Sequence, residues 1–298
     1  MQRADHILLP ATRPRASRCI WAFAAVHDDA RGDVPHSRGG PMRAFTYAFA
    51  AAAFTLTFSA RAQTVLDFES GDLEPDWLVV DEKGANLGDA GPSTWEIRKS
   101  AIGLDGNAVY QGSNIWGDKA DAMLMGTFLL YQGEEYIDFI LDIDVAAADN
   151  DGMGLVWAYT GVDSHYRVNI INDGWPEVPI DGEKGPMVIM HKRISDDEPW
   201  YDLLEVQHPP DYDPYPEGVP MHWTLEVTQG QFKFTNDNGD AANEVVIEAE
   251  DTDYEGGFVG IQLYAQQSEF DNVTIVSTYP GDPNGKAATS WGALREAR

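Results

Sequence analysis

IDFILDIDVAAADNDGMGLVWAYTGVDSHYRVNIIN, residues Ile137 to Asn172, is the stretch whose reading decides the fold. Ile137, Phe139, Leu141, Ile143 and Val145 alternate with Asp138, Asp142 and Asp144, and only Ile140 breaks the period. Apolar and acidic residues at every second position describe a strand with one face in a core and one in water. The acidic loop Ala147-Ala-Asp-Asn-Asp-Gly152 follows, then strand patterns over Met153 to Tyr159 and His165 to Ile171. Turn-length spacing between the three predicts an antiparallel meander.

Outward from this stretch the same grammar repeats. Thr64 to Glu69, Trp77 to Asp81, Thr94 to Ile97, Asn107 to Gln111 and Ala122 to Tyr131 read as strands on the N-terminal side. Met187 to Arg193, Trp200 to Gln207, Met221 to Thr228, Gln231 to Thr235, Glu244 to Glu250, Gly257 to Ala265 and Glu269 to Val276 follow it. Gly, Asn and Pro clusters separate them, and no segment carries an apolar stripe at i, i+3, i+4, so helices are excluded. Many short strands without a repeat predict an all-β domain of two packed antiparallel sheets, from Gln63 to about Thr278. The five prolines between His208 and Pro220 mark a surface loop.

The first 62 residues read differently. Met42-Arg43, the apolar run Phe45 to Phe58 and Ala60-Arg-Ala62 have the order of a secretory signal with its cleavage site, so the mature chain is expected to begin at Gln63. Residues 1–41, upstream of that internal Met, read as an extension foreign to the fold. Residues 279–298 are a linker and a tail that is basic against an acidic body. Eight of the 20 basic and four of the 49 acidic residues precede Gln63, which leaves 12 against 45 and a formal charge of −33. Such a surface repels nucleic acid and anionic membranes and favours cations. The single cysteine, Cys19, precedes Gln63, so the domain is held by its core and not by disulfides.

Asp149, Asn150 and Asp151 put oxygen ligands on a Gly-terminated loop, which suits a hard cation, though side chains capping their own turn would leave the same pattern. Asp251-Thr-Asp-Tyr-Glu-Gly256 shows a second acidic pattern of that kind, without a glutamate at the twelfth position. Trp116, Trp157, Tyr159, Tyr166 and Trp175 are aromatic candidates for stacking on a sugar, with Asn114 beside Trp116 in the loop Gln111 to Asp118. Trp157 lies inside an apolar run and reads equally as core. Asp142 and Asp144 stand two apart on one strand face, but the E-x-D-x-x-E spacing of a retaining glycosidase is not met. Neither G-x-S-x-G after Gln63 nor H-E-x-x-H occurs.

Pro75-Asp-Trp-Leu-Val-Val-Asp81, Gly126-Thr-Phe128, Asp149-Asn-Asp-Gly-Met-Gly-Leu-Val-Trp-Ala-Tyr159, His165-Tyr-Arg-Val168, Gly257-Phe-Val-Gly-Ile-Gln-Leu-Tyr264 and Phe270-Asp-Asn-Val273 occur in the order of thrombospondin C-terminal domains. The chain resembles that family, and its relatives among the concanavalin A-like lectins, over nearly all of Gln63 to Ser277. The resemblance implies a jelly-roll sandwich that binds Ca²⁺ and serves in glycan or matrix adhesion. The family's cysteine and preceding aspartate-rich repeats are missing here, so adhesion to an animal receptor is not implied. In a jelly roll the first and last strands can lie side by side, which would bring Asp67 and Glu69 to Asp271 and Asn272. Glu69 and Asp271 are therefore a second expected calcium site beside Asp149, Asn150 and Asp151. The expectation is a secreted, non-catalytic module that binds calcium and a carbohydrate or extracellular polymer through Asn114, Trp116, Tyr166 and Trp175. An extracellular glycosidase or polysaccharide lyase is the alternative, and a purely structural surface protein the third reading.

Overall fold

The computed structural model describes residues 63–73, 75–117, 125–172, 185–197, 199–208, 214–240 and 243–278. The expected leader, the tail from 279 and Trp175 lie outside the described residues. In chain order the strands are β1 (Gln63–Leu66), β2 (Trp77–Asp81), β3 (Leu87–Gly88), β4 (Trp95–Lys99), β5 (Asn107–Gln111), β6 (Ile115–Trp116), β7 (Thr127–Tyr136), β8 (Phe139–Ala147), β9 (Gly152–Gly161), β10 (Ser164–Ile171), β11 (Met187–Arg193), β12 (Tyr201–Gln207), β13 (Met221–Thr228), β14 (Gln231–Asn236), β15 (Val245–Glu250), β16 (Gly257–Tyr264) and β17 (Ser268–Ser277). None of the described segments is a helix long and apolar enough to cross a membrane.

The alternation of the central strand is realised in β8. Phe139, Leu141, Ile143 and Val145 are buried, while Ile140, Asp142 and Asp144 stand half-exposed. β8 lies in an eight-stranded sheet of order β15-β14-β13-β8-β17-β5-β4, with β1 on the same edge of β17 as β5. The second sheet has seven strands, β12-β11-β10-β9-β16-β7-β2, and β3 and β6 form a small ribbon. All of these strand pairings are antiparallel, and one hydrophobic core joins the sheets face to face. Phe139, Leu141 and Ile143 meet Leu155, Trp157, Val168 and Ile261 there, which makes the domain an antiparallel β-sandwich of the jelly-roll kind.

Three local expectations are corrected. β8 and β9 do not belong to one meander: β8 pairs with β13 and β17, β9 with β10 and β16, so residues 148–151 carry the chain from one sheet to the other. Burial explains why, since β9 is buried on both faces over Gly152 to Tyr159 and β8 on one face along most of its length. Ile137 and Asp138 form the turn ahead of β8, where Asp138 is buried and accepts a 2.8 Å hydrogen bond from the Gln229 amide. The strand before it continues to Tyr136 instead of ending at Tyr131.

Candidate functional site

The outward face of the seven-stranded sheet is where the chain departs most from the pattern of a sandwich surface. Arg167 and Asn169 on β10, His191 on β11 and Gln262 on β16 point away from the core and are nonetheless buried. The same face carries two apolar patches, Ile171, Met187, Ile189 and Tyr264 toward one end and Phe128, Leu130, Val156 and Tyr159 toward the other. Buried polar groups cost free energy unless they are paired, and most of these are. The Arg167 guanidinium donates to Glu82 and, through Nε, to His165 Nε2 at 2.9 Å, with Phe128 4.8 Å below it. His165 Nδ1 contacts the Gly161 carbonyl at 2.9 Å, so Nδ1 carries the proton and the ring is neutral. Burial and then the Arg167 charge push the His165 pKa well below the ordinary imidazole value.

Glycines make this face a trough. On β9 the outward positions Gly152 and Gly154 lie between β10 and β16, where Asn169 and Gln262 are both in register with Gly154. A Cβ on Gly154 would sit 1.8 Å from the Val168 carbonyl oxygen. With no side chain between them, Asn169 Nδ2 reaches Gln262 Oε1 across the strand. Asn169 Oδ1 and His191 Nδ1 have no hydrogen-bond partner.

At the Gly152 end the trough meets a hollow of about 170 Å³ lined by Asn114, Trp116, Asp151, Tyr264 and Ala265. The β3–β6 ribbon holds Trp116 over it. Leu87 pairs with Trp116 and Gly88 with Ile115, the Asp89 amide donates to the Asn114 carbonyl at 2.7 Å, and Asp89 Oδ2 accepts from the Asn114 amide at 2.8 Å. Gly88 has φ +77°, and a Cβ there would lie 1.9 Å from the Asn114 oxygen, so the ribbon closes only with glycine at that position. The Ala265 amide donates to Ile115 at 3.0 Å and ties the ribbon to the end of β16. The rings of Trp116 and Tyr264 meet edge to face at 6.4 Å, and the side-chain oxygen of Asn114 is buried with no partner.

The structure thus brings Asn114, Trp116 and Asp151 together, although Asn114 and Asp151 are 37 positions apart in the chain. Tyr166 does not join them. It faces the core on β10, stacks on Trp157 at 5.7 Å and donates to Asp251 at 2.6 Å. Tyr159 is buried against Phe128 on the outward face. Arg167, Asn169, Gln262 and Glu82 were not anticipated as a group. Their one sequence signal is a polar residue at alternate places within runs otherwise apolar on both faces, as in Tyr166-Arg-Val-Asn-Ile170.

The expected cation ligands lie at three separate places. Asp149 Oδ1 accepts from the Asn150 amide at 2.9 Å, capping its own turn. The carbonyls of Asp149 and Asp151 accept from Tyr215 Oη, and that of Asp149 also from Gln266 Nε2 at 2.8 Å. At the Asp251–Gly256 loop the cation is a side chain: Lys192 Nζ donates to Asp251 at 2.8 Å and to Asp253 at 2.5 Å. β1 does pair with β17, Leu66 opposite Val273, which sets Asp67 and Glu69 near Asp271. There Glu69 Oε1 accepts from the Asn107 amide at 2.9 Å, while Asp271 Oδ1 is buried with no partner. Burial, then the charges of Asp144, Glu69 and Asp67, raise the Asp271 pKa to about 6. Among the described residues no group of three or more His, Cys, Asp or Glu side chains is placed to hold a metal ion. As they stand, these residues do not fit a calcium cage, which needs six to eight oxygens around one point.

Asp142 and Asp144 lie on the open face of β8 and are tied to neighbours. His222 contacts Asp144 at 2.8 Å and Asp142 at 3.4 Å, Thr224 Oγ1 donates to Asp142 at 2.8 Å, and Asn272 donates to Asp144 at 2.9 Å. This is a bridged row on a sheet surface, with neither carboxylate lining a described cavity.

No family model matches the chain. No curated protein matches it either. Among solved structures it is similar to a carbohydrate-binding module, CBM66 from Bacillus subtilis, with 16% identity, 68% of this chain and 96% of that one covered, and a TM-score of 0.44. A domain of an extracellular arabinanase from Geobacillus stearothermophilus, in complex with arabinotriose, aligns with 10% identity over 74% of this chain and 95% of its own, TM-score 0.40. Toad ovary galectin with thio-digalactose aligns at 11% over 47% and 90%, TM-score 0.33. These neighbours are lectin-type sandwiches at TM-scores below 0.5; the thrombospondin relation expected from the sequence is not among them, and the functional reading rests on the chain's own residues.

Proposed function

We propose that this protein is a secreted, non-catalytic carbohydrate-binding module whose sugar lies in the hollow beneath Trp116. The observation that carries the reading is the pairing of two aromatic rings, Trp116 and Tyr264, with the amide of Asn114 and the carboxylate of Asp151 around one small concavity. A pyranose has one face of C–H groups and a rim of hydroxyls, so it packs on an aromatic ring while carboxamide and carboxylate oxygens accept from the rim. The buried oxygen of Asn114 supplies an acceptor that a hydroxyl would satisfy. Below the ~300 Å³ of a drug-sized site, the hollow suits one ring at a chain end or side branch. With 45 acidic against 12 basic residues from Gln63 on, neutral or amino sugars are favoured over uronates and sulfated glycans.

The non-catalytic part of the reading is supported by the state of Asp142 and Asp144. Glycoside hydrolysis requires two carboxyls flanking the scissile bond on a substrate cleft. Here they stand on an open sheet face, both bridged to His222. A glycan array probed with the full chain, followed by calorimetry on the best neutral glycan, tests the proposal. Trp116→Ala is expected to weaken binding at least tenfold with the fold intact. Binding unchanged in Trp116→Ala would move the site elsewhere, and release of reducing sugar or unsaturated product would make the protein an enzyme.

A further inference from the structure

A second cavity, independent of the hollow under Trp116, opens at one end of the sandwich. Its cause lies in the register. Between Phe258 and Gly260 on β16, the neighbouring β9 carries one residue more, with Ala158 at φ +49°, and between Gly257 and Val259 the other neighbour, β7, runs from Tyr136 to Tyr131. Both neighbours of β16 are bulged at the same level, which bends a sheet locally. There the two sheets part around a cavity of about 290 Å³.

Six rings wall it: Tyr136, Phe139, Trp157, Tyr166, Phe232 and Tyr254. The tyrosine hydroxyls are all committed, Tyr136 to Thr64 at 3.0 Å, Tyr166 to Asp251 at 2.6 Å and Tyr254 to the Arg193 carbonyl at 2.7 Å. Ring carbon, not hydroxyl, is therefore what these walls offer. The mouth lies between the β13–β14 turn, where Gln229 and Gly230 both have positive φ, and the loop carrying Thr252 and Glu255. Gly230 seats that turn against the loop, since a Cβ on it would lie 2.6 Å from both the Asp251 oxygen and Thr252 Cγ2. The ionisable groups on the lining besides the tyrosines are Asp138 and Glu255, and no basic residue lines it. The adjacent Lys192 ammonium is held by Asp251 and Asp253.

We propose that this cavity binds an organic ammonium cation with a compact apolar body. An aromatic wall attracts a cation through the negative ring faces, and a quaternary or substituted ammonium loses little hydration on entering. Asp138, buried, and Glu255, exposed, put two negative charges on the lining, within a protein that is acidic overall. A neutral apolar guest would gain from the walls alone. An anion would face two carboxylates without a basic partner.

Choline, its neutral isostere 3,3-dimethylbutan-1-ol and the anion 3,3-dimethylbutyrate separate the cases, titrated into the full chain at low ionic strength by calorimetry and tryptophan fluorescence. Choline is expected to bind roughly tenfold more tightly than the alcohol, and the anion not at all. Glu255 is exposed, and Glu255→Gln should weaken choline about fivefold while leaving the alcohol unchanged. Val227→Trp, which fills the cavity, should abolish both. Equal affinity for choline and the alcohol, or no saturable binding of either, overturns the proposal. So does choline binding that ignores Glu255→Gln. Because the cavity shares no residue with the hollow under Trp116, glycan binding lost or kept in Trp116→Ala leaves this outcome untouched.

Discussion

Asn169 on β10 donates its side-chain amide to Gln262 on β16 across the intervening strand, over Gly154. Two residues 93 positions apart, and two strands apart in the sheet, meet only because the residue between them has no side chain. The contact ties together the floor of the trough that ends beneath Trp116. Gly154→Ala puts a methyl 1.8 Å from the Val168 carbonyl, which is backbone and cannot step aside. The strands must separate there, at a cost of about 3 kcal/mol, the upper part of the range for overpacking. Urea denaturation at pH 7 is expected to show that loss. A variant as stable as the wild type would mean that the trough is wider than the register indicates.

Asp271 is buried at the seam of β1 and β17 with one oxygen unpartnered, and burial together with Asp144, Glu69 and Asp67 lifts its pKa to about 6. A carboxyl raised above its unfolded value of 3.8 binds its proton more tightly when folded. Its contribution is fully favourable below pH 3.8 and is lost as pH rises through 6. Asp271→Asn removes the charge and keeps the shape. It is expected to be more stable than the wild type at pH 7, by roughly 2–3 kcal/mol, and equal to it near pH 3.5. Melting temperatures across that range check the sign, and a variant less stable at pH 7 would show that the charged form has a partner.

Much of this was legible in the chain and some could not be. The period-2 pattern of Phe139 to Val145 fixes which side chains of β8 are inside, because the pleat is local. It cannot say which sheet the next strand enters, and turn-length spacing alone sets β9 beside β8. The meeting of Asp67 and Glu69 with Asp271 was readable once the first and last strands were set side by side. Asn114, Trp116 and Asp151 stood out as polar and aromatic loop residues, and their convergence follows from the β3–β6 ribbon, two residues a side. The Glu82–Arg167–His165 group and the Asn169–Gln262 contact depend on register between strands distant in sequence, and no local pattern encodes register. Tyr166 reads as an aromatic for sugar stacking, yet its own face of β10 is the core, which a single residue type does not reveal.

His222 bridges Asp144 and Asp142 on the open face of the eight-stranded sheet. Burial alone would depress the ring's pKa, but the hydrogen bonds and charges of Asp144 and then Asp142 outweigh it and raise it. A raised histidine stabilises the fold fully below its unfolded pKa and loses that contribution as pH rises through the folded value. His222→Ala is therefore expected to destabilise at pH 5.5 and to be near neutral at pH 9, a small effect because the ring is half-exposed. NMR titration of the His222 ring gives the pKa directly, and a midpoint below 6.5 would contradict the bridge.

Lys192 is the cation of the Asp251–Gly256 loop, buried on β11 and reaching Asp251 and Asp253. The ammonium neutralises two carboxylates, one of which also takes the Tyr166 hydroxyl and the Asp253 amide. Burial works against the charged amine, but the two aspartates outweigh it and raise its pKa. The same pairing depresses Asp251. Lys192→Met keeps the stem and removes the charge, leaving Asp251, 16% exposed, beside Asp253 with nothing between them. Breaking a fully buried pair costs ~3–5 kcal/mol. Asp253 is 66% exposed and water screens part of the repulsion, so roughly 2 kcal/mol is expected at pH 7. A depressed carboxyl stabilises above its unfolded pKa and loses that as pH falls through the folded value, so the gap between wild type and Lys192→Met should close below about pH 4. Lys192→Met combined with Asp251→Asn should recover most of the loss at pH 7. If the double variant is as unstable as the single one, the lysine acts through its packing and not through its charge.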